Sequence, residues 1–228
     1  MYPVYLNSRN KDFDFDTFFD NFISICQEER EAGRALVFAF ILYDFENPQI
    51  AKVLKDNEYW LSLNAISGKY LTVYSIHYKS NITSSSYTNE DEIDNELPIF
   101  SYLTSINDNQ NPSISSNKLI EKYFGADVNL KYPAVLFFQT DSKNLIDYTL
   151  IELDEQEIEK AFLELKVYIK TAVESLKLIQ DDYKGNLHEI FENVSKTANG
   201  VRAKIIACRT LKKFTSVFEL GTAIVGLS

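Results

Sequence analysis

Three groups of residues in this chain are of a type and spacing that could do chemistry. The first is a turn, Asp44-Phe45-Glu46-Asn47-Pro48-Gln49, placed between an apolar run and a helical pattern. Asp44, Glu46 and Asn47 could form a recognition surface there, and the same residue types also serve a plain turn and helix N-terminus, where the dipole favours acids. The second is Tyr132-Pro133, immediately before another apolar run. A proline at the first residue of a strand is ordinary, and catalysis by the phenols of Tyr43 or Tyr132 would need an anion-stabilising pocket. The third is a pair of thiols, Cys26 and Cys208, each inside an apolar helical pattern. They are expected to be buried and reduced rather than joined. With only His77 and His188 as imidazoles, no metal site and no cofactor is expected.

The elements that must position these groups can be read from periodicity. Residues 14–31 open on a capping candidate, Asp14, and place Phe15, Phe18, Phe19, Phe22, Ile25 and Cys26 at helical spacing up to a turn at Gly33. Residues 35–43 form a continuous apolar run, the pattern of a strand covered on both faces. One helix or two short ones are expected over 49–66, and a second buried strand over 70–78. A short helix over 118–124, a strand after Pro133 and a last strand over 145–153 follow, and Asp154-Glu155-Gln156-Glu157 has the spacing of a capping box.

Composition bounds the function. The chain has 228 residues, 45% hydrophobic and 25% charged, enough for one buried core and an appendage. A net charge of -10 argues against a nonspecific grip on nucleic acid. No basic-then-apolar leader and no apolar run of about 18–20 residues is present, so a soluble, cytoplasmic protein is expected. Glycine-rich phosphate loops, Gly-x-Ser-x-Gly elbows and His-Glu-x-x-His pairs are lacking. Residues 79–117 turn polar and acidic, with Glu90, Asp91, Glu92, Asp94 and Glu96 in one block, and read as a flexible insert rooted at the carboxyl end of the sheet.

The order helix, strand, helix, strand, helix, Pro-strand, strand, helix resembles a thioredoxin-like domain over about residues 14–169. The resemblance implies an α/β fold with a central mixed sheet flanked by helices. Pro48 then matches the proline of the active turn, Pro133 matches the cis-proline, and Glu46 and Gln49 stand where the redox cysteines would be. Thiol-disulfide exchange is thereby excluded, since no thiolate is available. A cis bond at Pro133 would turn the backbone of Tyr132 outward, where such domains pair with an extended peptide. The layout also resembles cysteine-free adaptor versions of the fold, such as the UAS domains of ubiquitin-pathway proteins.

The C-terminal third implies a helical extension over 170–228, beyond a thioredoxin-like domain over 1–169. Ile158, Phe162, Leu165, Ile169, Ala172, Leu176, Ile179 and Tyr183 alternate steps of four and three, so a long helix should bury a seam. The pattern falters at Lys184-Gly185-Asn186 and breaks again at Asn199-Gly200, which allows an antiparallel return. Beyond it Arg202, Lys204, Arg209, Lys212 and Lys213 appear among apolar residues that include Phe214 and Phe218. Such a basic amphipathic helix should dock first on the chain's own acidic surface or a sister subunit, then on a protein partner, and last on a membrane. The function expected is therefore non-catalytic protein binding. The turn 44–49 with Tyr132 and Pro133 forms one surface, and Arg202, Arg209, Lys212, Lys213, Phe214 and Phe218 form the assembly surface. A glutathione-transferase-like enzyme and a peripheral membrane effector are the alternatives; Asp141-Ser142 is only a weak substitute for the Glu-Ser pair of the former.

Overall fold

Val37–Leu42 and Ala134–Thr140, the two most continuously apolar runs, are buried at every residue because they are central strands with helices on both faces. The computed structural model describes residues 2–6, 15–43, 53, 56–78, 124, 131–154, 157–179 and 185–225; side chains are described for 22–43, 53, 56, 58–74, 124, 131–154, 157–179 and 185–209. The elements in chain order are β1 (Tyr2–Leu6), α1 (Phe15–Glu31), β2 (Val37–Leu42), α2 (Asn57–Ser67), β3 (Leu71–Tyr78), β4 (Ala134–Thr140), β5 (Leu145–Glu152), α3 (Ile158–Lys177) and α4 (Leu187–Val225). They form one mixed five-stranded sheet, ordered β1-β3-β2-β4-β5. β3 lies parallel to both β1 and β2, while β4 runs antiparallel to β2 and β5. The α/β class with a mixed sheet is thus as expected. β1 is an addition, since the hydropathy pattern gives no element before residue 14.

One face of the sheet packs Phe22 and Cys26 of α1 and the buried Phe124 against Phe38, Phe40, Tyr74, Leu136 and Phe138. Phe40 stacks on Phe22 and on Phe138 at centroid distances of 4.9 and 5.3 Å, and Phe22 lies tilted to Phe138 at 5.7 Å. α1 ends in a Schellman motif: Arg34 N–H donates to Glu29 O and Gly33 N–H to Arg30 O, both at 2.9 Å, with Gly33 at φ +67°. α2 starts afresh after Asp56, whose carboxylate accepts the Tyr59 N–H at 2.9 Å. The expected short helix over 118–124 and the insert over 79–117 lie outside the described residues except for Phe124.

The other face carries α2, α3 and α4. Ile158, Phe162, Leu165, Ile169, Ala172 and Leu176 are all buried, so the alternating seam of α3 faces the sheet and α4. α3 is continuous through residue 169, and Ala172, Val173 and Leu176 share one core with β2, β4, Ile190, Phe191, Val194 and Ala198. The expected antiparallel return is therefore part of the main core. α4 is one helix of 39 residues that runs through Asn199-Gly200, contrary to the break expected there. Glycine costs about 1 kcal/mol in a helix interior. Packing on either side of Gly200, by Ala198 before it and Val201 and Ile205 after it, offsets that cost.

The two cysteines are both free, and their settings differ. Cys26 is fully buried beside the Tyr74 hydroxyl at 3.7 Å, and burial pushes its thiol up to about 12. Cys208 is exposed, contrary to the expectation of burial: among the described residues Ala198 is the last fully buried one of α4, and only Val201 and Ile205 after it pack against the core. The native protein is expected to titrate as one thiol with an aromatic disulfide reagent and as two after unfolding. Two fast thiols in the native state would contradict this burial.

Candidate functional site

One end of the sheet holds the Tyr132-Pro133 pair beside the end of β2. β2 ends there at Leu42, which pairs with Ala134 at the start of β4, and Ala134 in turn pairs with Glu152 at the end of β5. The Tyr132–Pro133 peptide is cis. Its Pro133 carbonyl accepts the Leu153 N–H at 2.8 Å, extending the β4–β5 ladder by one bond. Pro133 is buried, whereas Tyr132 is half-buried and packs against the α1-side core. Tyr43 is fully buried at the end of β2. β3 runs parallel to β2 with Ile41 opposite Ser75 and continues to Tyr78, so the chain leaves β3 at this same end. Asp44, Phe45, Glu46, Asn47 and Gln49 lie outside the described residues.

A charged cluster stands beside this end. Asp154, two residues after β5, lies 3.3 Å from Lys160 Nζ and 3.5 Å from Arg209 Nη2. Arg209 Nη2 also donates to both carboxylate oxygens of Glu164 at 2.5 Å. Burial on its own would lower the Arg209 guanidinium, but the Glu164 hydrogen bond and the charges of the largely buried Glu164 and Asp154 together outweigh it and hold Arg209 above its usual range. Arg209 Nε is buried without a hydrogen-bond partner. Tyr168 beneath them is pushed up to about 12 by burial and by the Glu164 charge, with Arg202 and Arg209 opposing.

These contacts correct one local expectation. α3 begins at Ile158 with Glu157 as N-cap and no side-chain cap bond, so the spacing at 154–157 makes no capping box. Asp154 is held instead by Lys160 and Arg209.

The structure thus brings Tyr132, Pro133 and Arg209 to one end of the molecule, while Arg202 lies further back along α4, half-buried near Tyr168. Lys212, Lys213, Phe214 and Phe218 continue α4 beyond Arg209, and their side chains lie outside the described residues. Sequence reasoning missed Asp154 and Glu164 as the anchors of Arg209. The available signal was charge alone, an acidic stretch before a helix and a basic one in the last helix. Among the described residues no three His, Cys, Asp or Glu stand together so as to hold a metal ion, and no helix is long and apolar enough to cross a membrane. Compared with known proteins, the chain matches no protein family, no curated protein and no solved structure.

Proposed function

We propose that this chain is a thioredoxin-like domain without the redox pair that works by binding protein, with the cis-proline end of the sheet as one contact surface and α4 as a docking helix. The observation that carries the reading is the sheet itself. Its order β1-β3-β2-β4-β5, in which β4 alone runs against the other four strands, sets the end of β2 beside the start of β4, and α4 brings Arg209 alongside. The chain's thiols, Cys26 and Cys208, belong to α1 and α4 and not to the turn after β2. A surface with aromatics and charges but no thiol at the turn suits recognition better than thiol-disulfide exchange.

Because α3 and α4 share the sheet's core, the test uses the full chain with surface changes in place of truncation. Tyr132→Ala alters the sheet end, and Lys212→Glu with Lys213→Glu alters the helix. Crosslinking in native lysate followed by mass spectrometry should recover a protein partner with the unaltered chain and lose it with at least one variant. Recovery indifferent to both variants would remove the reading.

A further inference from the structure

β5 is the last strand of the sheet, and its outer side is open. The Leu153 N–H donates to the Pro133 carbonyl across the β4–β5 ladder. In an antiparallel pair alternate residues direct both backbone groups at the partner strand, so Asp147, Thr149 and Ile151 face β4 while Tyr148, Leu150 and Glu152 turn theirs outward. Among the described residues no other backbone group pairs with those outward groups. The outward N–H of Tyr148 is taken by the Asp147 carboxylate of the same strand, at 2.8 Å. A side chain folded back on its own strand in this way stands where a neighbouring strand would bind. The stretch Tyr148-Thr149-Leu150-Ile151 is also free of lysine and proline, the residues that blunt sheet edges.

The two faces of the strand differ. On the α1 side Tyr148 is 37% exposed and Leu150 is half-buried, an apolar border to the edge. On the other side α4 runs beside β5, with Thr149 Oγ1 2.6 Å from Ser195 Oγ. There His188 stands between two exposed carboxylates, 4.0 Å from Asp147 and 3.8 Å from Glu192.

Charge selects the occupant. Of the described cations near this edge, Lys196 is held by Glu192 at 2.6 Å, Arg202 faces Tyr168 of α3, and Lys143 belongs to the hairpin turn before β5. A second copy of β5 would gather four strand carboxylates, Asp147 and Glu152 from each chain, with no cation on either strand. We infer that β5 takes an added strand from another protein: an extended basic peptide in which lysine or arginine alternates with apolar residues. Its backbone pairs with Tyr148, Leu150 and Glu152, its cations fall on the α4 side against Asp147 and Glu192, and its apolar residues lie beside Tyr148 and Leu150. This contact goes beyond the docking of the cis-proline end and of α4, and needs neither Tyr132 nor any residue beyond Arg209.

Fluorescence anisotropy of a labelled octapeptide of alternating lysine and valine, titrated with the full chain, tests it. Two control peptides carry glutamate for lysine, or N-methyl groups at every residue, which keep the charge and abolish backbone pairing. The first peptide should bind saturably and more weakly in salt, and each control should bind at least about tenfold more weakly. Asp147→Asn with Glu192→Gln, which retains an oxygen for the Tyr148 N–H and is first checked for an unchanged melt, should weaken binding about threefold to tenfold. Amide exchange at Leu150 and Glu152, followed by nuclear magnetic resonance, should slow in the complex. Equal binding of the N-methylated peptide would reduce the contact to attraction between charges and overturn strand addition. Absence of saturable binding, or unchanged exchange at those two amides, overturns it as well. A dimer in sedimentation equilibrium that protects the same amides would put a second copy on the edge and overturn the choice of a basic peptide.

Discussion

Phe191→Ala is expected to destabilise the whole domain by about 3–5 kcal/mol, the cost of emptying a large buried aromatic site. Phe191 belongs to α4, yet it is 1% exposed and lies in the same core as Val135, Phe137, Ile151 and Leu165. Its loss should therefore move the urea midpoint of the sheet as well as that of the helix, in one transition with an unchanged slope. Near-ultraviolet dichroism reports the aromatic core, and far-ultraviolet dichroism reports helix. If the two signals separated, with the core transition left in place, α4 would be an appendage rather than a layer of the fold.

Gln139→Leu is the second large effect, at roughly 2–4 kcal/mol, and its origin is polar. Gln139 is fully buried in β4, where its Oε1 accepts from Arg30 Nη2 at 2.8 Å and from the Thr140 N–H at 3.2 Å. Its Nε2 donates to the Leu36 carbonyl at 2.8 Å and to the Leu187 carbonyl at 3.4 Å. One amide thus ties α1, the entry to β2, β4 and the first residue of α4. Leucine fills a similar space but offers none of these bonds, so each partner loses a hydrogen bond away from water, which is the costly half of such a loss. Arg30 also donates to the Thr140 carbonyl at 2.6 Å and sits 5.4 Å over the Phe38 ring. Arg30→Met should accordingly be non-additive with Gln139→Leu, the double variant losing less than the sum of the singles. Full additivity in thermal or urea unfolding would mean that the two side chains act independently.

The elements legible in the sequence are those whose burial is written in consecutive or evenly spaced apolar residues. β2 and β4 are continuous runs because both faces are covered, and the seam of α3 shows in the steps from Ile158 to Leu176. What stayed hidden depends on partners far along the chain. β1 is five residues long and exists through pairing with β3, about seventy positions away, so its own pattern carries little signal. Gln139 reads as an interruption of an apolar strand until Arg30 and Leu36 come beside it. Gly200 reads as a stop until neighbours on both sides show the helix seated across it. The candidate site divides the same way. Tyr132 and Pro133 follow from a local motif, whereas the Asp154–Arg209–Glu164 cluster joins three elements and is visible only when α4 lies against α3.

The continuity of α4 through Gly200 has a consequence for how the molecule opens. Residues 190–198 cannot leave their seat without unpacking the sheet, so their release costs the full stability of the fold. Arg209 carries that coupling further along the helix, since its ion pair with Glu164 ties α4 to the first half of α3. A single uninterrupted helix thus joins the sheet's core at Phe191 to the charged cluster at Arg209.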